Sequence, residues 1–159
     1  MPTQSLAGVI AAIRSSFTSL YAGQVGTDGT PVLVSDGNPG QDEPSAIVAV
    51  MDVNGPITRP TLGTNRSREI HAEVTVIISV YTPGDESAQP LSTDCALGLL
   101  TVLEQYLRTS PQERFGGACR DAWVSDIKMH PEVAVDATTG DPAGRVTTIE
   151  TTMTAVVRY

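Results

Sequence analysis

The sequence predicts an α+β fold, a mainly antiparallel β-sheet with long strands packed against two α-helices, as one domain spanning residues 1–159. Two alternating segments carry most of this expectation. In Glu69 to Thr82, the residues Ile70, Ala72, Val74, Val76, Ile78 and Val80 share one face, while Glu69, His71, Glu73, Thr75 and Ser79 take the other. That is the period-two pattern of a strand with one buried face. Arg145 to Tyr159 repeats it, with Ile149, Met153, Ala155, Val157 and Tyr159 mostly opposed by Thr148, Glu150, Thr152, Thr154 and Arg158. The third observation is the order of elements: helix, strand, strand, long strand, helix, strand, long strand. It has too few strand-helix alternations for a doubly wound parallel sheet and suits a sheet whose two helices cover its apolar face.

The first helix is expected from Ser5 to Tyr21, where Leu6, Val9, Ile10, Ile13, Phe17 and Leu20 recur at helical spacing and Ser5 serves as N-cap. Gly23 and Gly26 end it. Pro31 to Ser35 and Ala46 to Asp52 are short apolar runs read as strands, separated by an acidic loop containing glycine and proline. Val53 to Arg68 lacks periodicity but holds Gly55, Pro56, Pro60, Gly63 and three arginines, and a loop of that length in a compact domain tends to have a use or to be mobile. After the first long strand, stopped by Pro83 and Gly84, the second helix is expected from Ser92 to Arg108. Ser92 is its N-cap, Asp94 lies in its first turn, and Ala96, Leu99, Leu100, Leu103, Tyr106 and Leu107 form its stripe. A strand from Ala122 to Met129, a loop with Gly140, Pro142 and Gly144, and the closing long strand complete the chain.

A fourteen-residue strand reaches about 45 Å, whereas a compact chain of this length is only about 40 Å across. Such strands are expected to project or to pair beyond their own domain, which points to assembly rather than small-molecule chemistry.

Composition narrows the classes further. Eighteen acidic and ten basic residues give a formal charge of −8, which disfavours a sequence-independent grip on nucleic-acid phosphates. It is compatible with DNA sliding past without sticking. Cys95 and Cys119 form no CxxC pair and read as free or buried thiols in a reducing cytoplasm. The first residues carry no basic run before the apolar stretch, which is interrupted by Arg14, Ser15 and Ser16, so neither a signal peptide nor a membrane span is expected.

Catalytic and metal chemistry find little footing. His71 and His130 are the only histidines, with no HExxH, no calcium-loop pattern and no Cys/His cluster at metal spacing. Asp121, Asp126 and His130 can be drawn as a ligand set, but such triples arise by chance in acidic segments. Neither cysteine carries a nucleophile signature, and the glycines near Gly37 and Gly140 are turns rather than phosphate cradles. No cofactor is expected. Arg59, Arg66 and Arg68 form the one concentrated basic segment, readable as a solvated loop or as a contact to an acidic face of a neighbouring subunit. Trp123, with Val124 and Ile127, reads as core more readily than as an interface anchor.

In its layout the chain resembles the tail terminator, or tail completion, proteins of long-tailed bacteriophages. The resemblance rests on the opening helix Leu6 to Tyr21, the long strand ending in Tyr81-Thr82-Pro83, the helix Ser92 to Arg108 and the closing strand Arg145 to Tyr159. It implies a non-enzymatic virion subunit, assembled in the host bacterial cytoplasm and sited in the virion tail at the head-tail junction. There it would form a homo-oligomeric ring, a hexamer, that caps the head-proximal end of the tail tube, stops polymerisation and joins tail to head. The implied partners are the tail-tube protein and the head-tail connector proteins, with DNA passing through the lumen without specific binding and no membrane contact. The family offers no catalytic residues to carry over. On physical grounds Arg59, Arg66 and Arg68 are the candidates for subunit or tube contacts, with Glu69 and Glu73 as interface or lumen charges. The alternatives are a head-tail connector or stopper, a tail-tube subunit, or, from another class, a small cytoplasmic enzyme or ligand-binding domain, which would need a pocket with convergent polar groups.

Overall fold

The computed structural model describes residues 6–39, 44–55, 57–58, 69–109 and 114–158. Helix α1 spans Leu6–Leu20 and α2 spans Gln89–Leu107; the strands are β1 (Leu33–Asp36), β2 (Ala46–Asn54), β3 (Ile57–Thr58), β4 (Glu69–Pro83), β5 (Asp121–Val135) and β6 (Pro142–Arg158). They form one sheet in the order β1-β2-β4-β6-β5, with the two-residue β3 paired to β4. All pairings are antiparallel except β1 with β2, which is parallel. The expected α+β class and the two helices are therefore present.

Both helices lie on one face. Val9, Ile13, Phe17 and Tyr21 recur every four residues and are all buried, so α1 presents a single stripe to the core. The even positions of β4 from Ile70 to Val80 are buried, as are Ile149, Met153, Ala155 and Val157 of β6, matching the alternation. Thr147 and Thr151 share that buried face. Their hydroxyls are satisfied: Gln89 Nε2 donates to Thr147 Oγ1 at 2.9 Å, and Thr151 Oγ1 donates to the Asp126 carbonyl at 2.9 Å. Tyr21 Oη donates to the Leu99 carbonyl at 3.0 Å, tying the end of α1 to the middle of α2, and burial pushes its phenol pKa up.

Helix α2 starts earlier than its sequence suggests. Pro90 occupies its first turn, where a missing N–H costs nothing. Ser92 is no N-cap: it is fully buried, and its Oγ donates to the Val80 carbonyl at 2.8 Å. Asp94 accordingly lies beyond the first turn. Capping moves upstream, where Asp85 accepts from Ser87 N at 2.9 Å and holds the short 3-10 turn Glu86–Ala88 that leads into the helix. The expected N-cap Ser5 lies outside the described residues.

After α2 the chain reverses through Phe115, Gly116 and Gly117, all at positive φ. Phe115 is the one non-glycine there, and its strained backbone is offset by complete burial of its ring, edge-on to Tyr106 at 5.4 Å. The reversal launches β5, which runs to Val135 rather than stopping at Met129. Pro131 interrupts no pairing, because β5 is an edge strand and its missing N–H can point outward. The segment expected to be a loop after Val53 begins with strand instead, since β2 continues to Asn54 and β3 pairs with β4.

Candidate assembly surfaces

Arg59, Arg66 and Arg68 lie outside the described residues. Glu69 opens β4 with its backbone opposite Arg158, and Glu73 is exposed, opposite Thr154, on the sheet face that carries no helix among the described residues. His71 is exposed on the same face. The structure thus aligns Glu73 with His71 on one face of β4.

What the sequence did not signal is the outer strand. A bulge at Ser125 shifts the register of β5 against β6, so that the residues facing the helices change from even to odd. Ala122 and Val124 face Ala155 and Met153 before it; Ile127, Met129, Pro131 and Val133 face Thr151, Ile149, Thr147 and Arg145 after it. The bulge is held from both sides: Ser125 Oγ donates to the Thr152 carbonyl at 3.1 Å and accepts from Thr154 Oγ1 at 3.1 Å. Its effect is to turn an apolar row toward the helix side and the polar row of Asp126, Lys128, His130 and Glu132 toward the other. Lys128 and Asp126 pair there at 3.7 Å, a surface contact worth little.

The apolar row has no helix above it. Ile127, Met129, Val133 and Val135 are each between 44% and 61% exposed, whereas Thr147, Ile149 and Thr151 of β6 are buried; Trp123, opposite Thr154 on the helix-free face, is 42% exposed. Trp123 therefore departs from the core placement expected of it. Helix α2 reaches β5 only near its start, where Glu104, Leu107 and Arg108 enclose a cleft of about 200 Å³ with Ala122, Trp123 and Val124. Thr93, Leu97 and Glu104 fall on one flank of α2, and Thr93 Oγ1 lies 3.2 Å from Thr147 Oγ1, so this flank looks toward β5. Leu97, midway along it, is exposed as well.

A second set of exposed large apolar side chains lies at the other edge of the sheet. Leu33 opens β1, and Val25, bridged to Pro31, leads into it. The Cys95 thiol lies 4.0 Å from the Val25 carbonyl, so Val25 lies against α2 one turn on from Leu91. Val25 and Leu91 are at least half exposed.

Enzyme-like features do not assemble among the described residues. No three His, Cys, Asp or Glu side chains come together as a metal site. A cleft of about 220 Å³ on the helix-free face is lined by Ile47, Ala49, Met51, Ile77, Ser79 and Thr148, none of which titrates to move a proton near neutral pH. Cys119 is buried, and burial raises the Cys95 thiol pKa, which works against a reactive thiolate. No described helix is long and apolar enough to cross a membrane.

No family model matches the sequence, and no curated protein sequence does. Among solved structures, the chain is similar in fold to a chain in a structure described as the virion of a native gene transfer agent particle. That match has 16% sequence identity and a TM-score of 0.52, covering 99% of this chain and 100% of the other.

Proposed function

We propose that this chain is a non-enzymatic structural subunit of a phage-like virion and, within it, a tail terminator: a ring on the head-proximal end of the tail tube that ends polymerisation and joins tail to head. The observation that carries the reading is the end-to-end likeness to a chain of a gene transfer agent virion, which leaves neither chain with an unmatched domain. The apolar surfaces at both sheet edges support it, since a subunit of a closed ring needs a different patch for each neighbour. An acidic chain suits a passage through which DNA must move without adhering. In this reading Arg59, Arg66 and Arg68 contact the neighbouring subunit or the tube, Glu69 and Glu73 supply interface or lumen charge, and the tail-tube and connector proteins are the partners.

The test is to add the purified protein to polymerising tail-tube protein and measure tube lengths by negative-stain imaging. A terminator yields short tubes, each bearing an added ring at one end. Tubes of unchanged length overturn the terminator assignment, and filaments formed by this chain alone reassign it as a tube subunit. A ring that binds connector proteins but not tubes reassigns it as a connector or stopper.

A further inference from the structure

We infer that the β5 edge of one copy is the seat for a second copy of this chain, which presents its Val25–Leu91 corner, so that copies join head to tail. The inference rests on the ring-forming reading only for the head-to-tail sense; the two surfaces stand on their own observations.

The first surface is β5 itself. From Trp123 to Val135 no described strand pairs with its outer side, leaving a row of backbone donors and acceptors beside an apolar row. Its four exposed apolar side chains, Ile127, Met129, Val133 and Val135, present roughly 300 Å² of surface, at the size where patches on monomers become binding sites. Leu97 on the facing flank of α2 and the open strand backbone extend this surface. The core face of the sheet continues onto β5, one strand wider than α1 and α2 cover, and among the described residues nothing else lies over it.

The second surface is the corner formed by Val25 and Leu91. The exposed large apolar residues thus gather at β5 and α2's near flank on one side and at this corner on the other, at opposite edges of the sheet. A two-fold dimer needs one self-complementary patch, and β5 alone could supply it. Two separated patches on opposite edges are what a repeating, head-to-tail contact needs.

The experiment uses two variants of the full chain, one with Ile127→Lys and Met129→Lys, the other with Val25→Lys and Leu91→Lys, each checked for native circular dichroism. Mass is measured by light scattering up to millimolar concentration. The wild type is expected to form a discrete oligomer, and each variant alone to fall to the 16.7 kDa single chain. An equimolar mixture of the two should recover a dimer and stop there, because each copy retains one working surface and the two are complementary. If the corner variant alone keeps the wild-type mass while the β5 variant does not, the contact is an isologous β5 pairing and the head-to-tail inference fails. Wild-type mass in both variants, or a wild type that stays monomeric throughout, overturns the surfaces altogether. If variants unfold, Ile127→Thr with Met129→Thr, which keeps β propensity while removing most of the apolar surface, replaces the lysine pair. Tube-length measurements separate this from the functional reading: rings disrupted by these variants but without effect on tubes refute the terminator and leave the surfaces standing. Capped tubes that ignore the variants do the reverse.

Discussion

β5 and β6 are hydrogen-bonded neighbours over almost their whole length, with similar alternation and opposite fates. The helix-side row of β6 is buried beneath α2, while that of β5 beyond its bulge is open. Alternation therefore reports which way a side chain points, and only the reach of a covering layer decides whether it is buried. Helix α2 contributes one width of cover, seated on β4 and β6, and the sheet is wider than that.

The sharpest way to break this contrast is to truncate the same residue type on the two strands. Ile149→Ala should cost about 2–5 kcal/mol of stability, since the side chain is fully buried and its removal leaves a cavity. Ile127→Ala, one strand over and on the same face, should change the stability of the single chain by about 0.5 kcal/mol or less. Urea melts at low protein concentration read both, and equal losses would mean that β5 is covered within the monomer.

Gly144→Ala tests where cover at the far end of β6 comes from. A Cβ at Gly144 would lie 2.6 Å from Tyr81 Cε2 and 2.7 Å from the Thr82 carbonyl oxygen, and the backbone oxygen cannot move aside cheaply. The ring of Tyr81, whose hydroxyl donates to the Ala143 carbonyl at 3.1 Å, thus closes the strand where no helix does. A loss of about 1–3 kcal/mol is expected from the same melts, the usual cost of overpacking. No loss would show that the tyrosine ring swings away freely.

The smallest effect concerns the loop that leads into β1. Asp28 accepts from the hydroxyls of Ser45 and Thr30 and from Thr30 N–H, in that order of weight, and these bonds lower its pKa to about 2. A carboxyl whose folded pKa lies below its unfolded value of about 3.9 stabilises fully above that value, and the contribution disappears as pH falls toward about 2. Asp28→Asn should therefore flatten the fall in melting temperature between about pH 4 and pH 2. Asp85 and Asp136 are lowered by the same kind of bonds and retain part of the slope. An identical slope in the variant would exclude Asp28 as a contributor.

Much of this architecture was legible before any coordinates. The even row from Ile70 to Val80, the stripe of α1 and the class of the fold follow from periodicity alone. The start of α2 did not, because Ser92 has the chemistry of an N-cap and is instead used as a buried donor to Val80, a contact set by tertiary packing. Nor did the continuation of β5 through Pro131, since proline ends a strand in isolation and is harmless only at an edge, and edges are not visible in sequence. The assembly surface was missed for a related reason. A one-residue bulge at Ser125 inverts the face of everything after it, and serine carries no mark of that role. The arginine segment from Arg59 to Arg68, which the sequence singled out, is a separate proposal from the apolar edges.

The connectivity of the sheet also has a consequence in time. β2 with β4, and β5 with β6, are antiparallel pairs formed by neighbouring stretches of chain, and the turn at 136–141 is already closed by its own bonds from Asp136. The seam between the two pairs is different. It zips Pro83 to Gly144 and Glu69 to Arg158 across the whole of α2, and it brings together the buried rows of β4 and β6. Contacts that distant in sequence are closed late, because the loop entropy is lost before the packing is gained, and sheets built on them refold in roughly milliseconds to seconds rather than microseconds. Until that seam closes, the apolar rows of both pairs face water, so a newly made chain is most prone to aggregate in the interval before β4 finds β6.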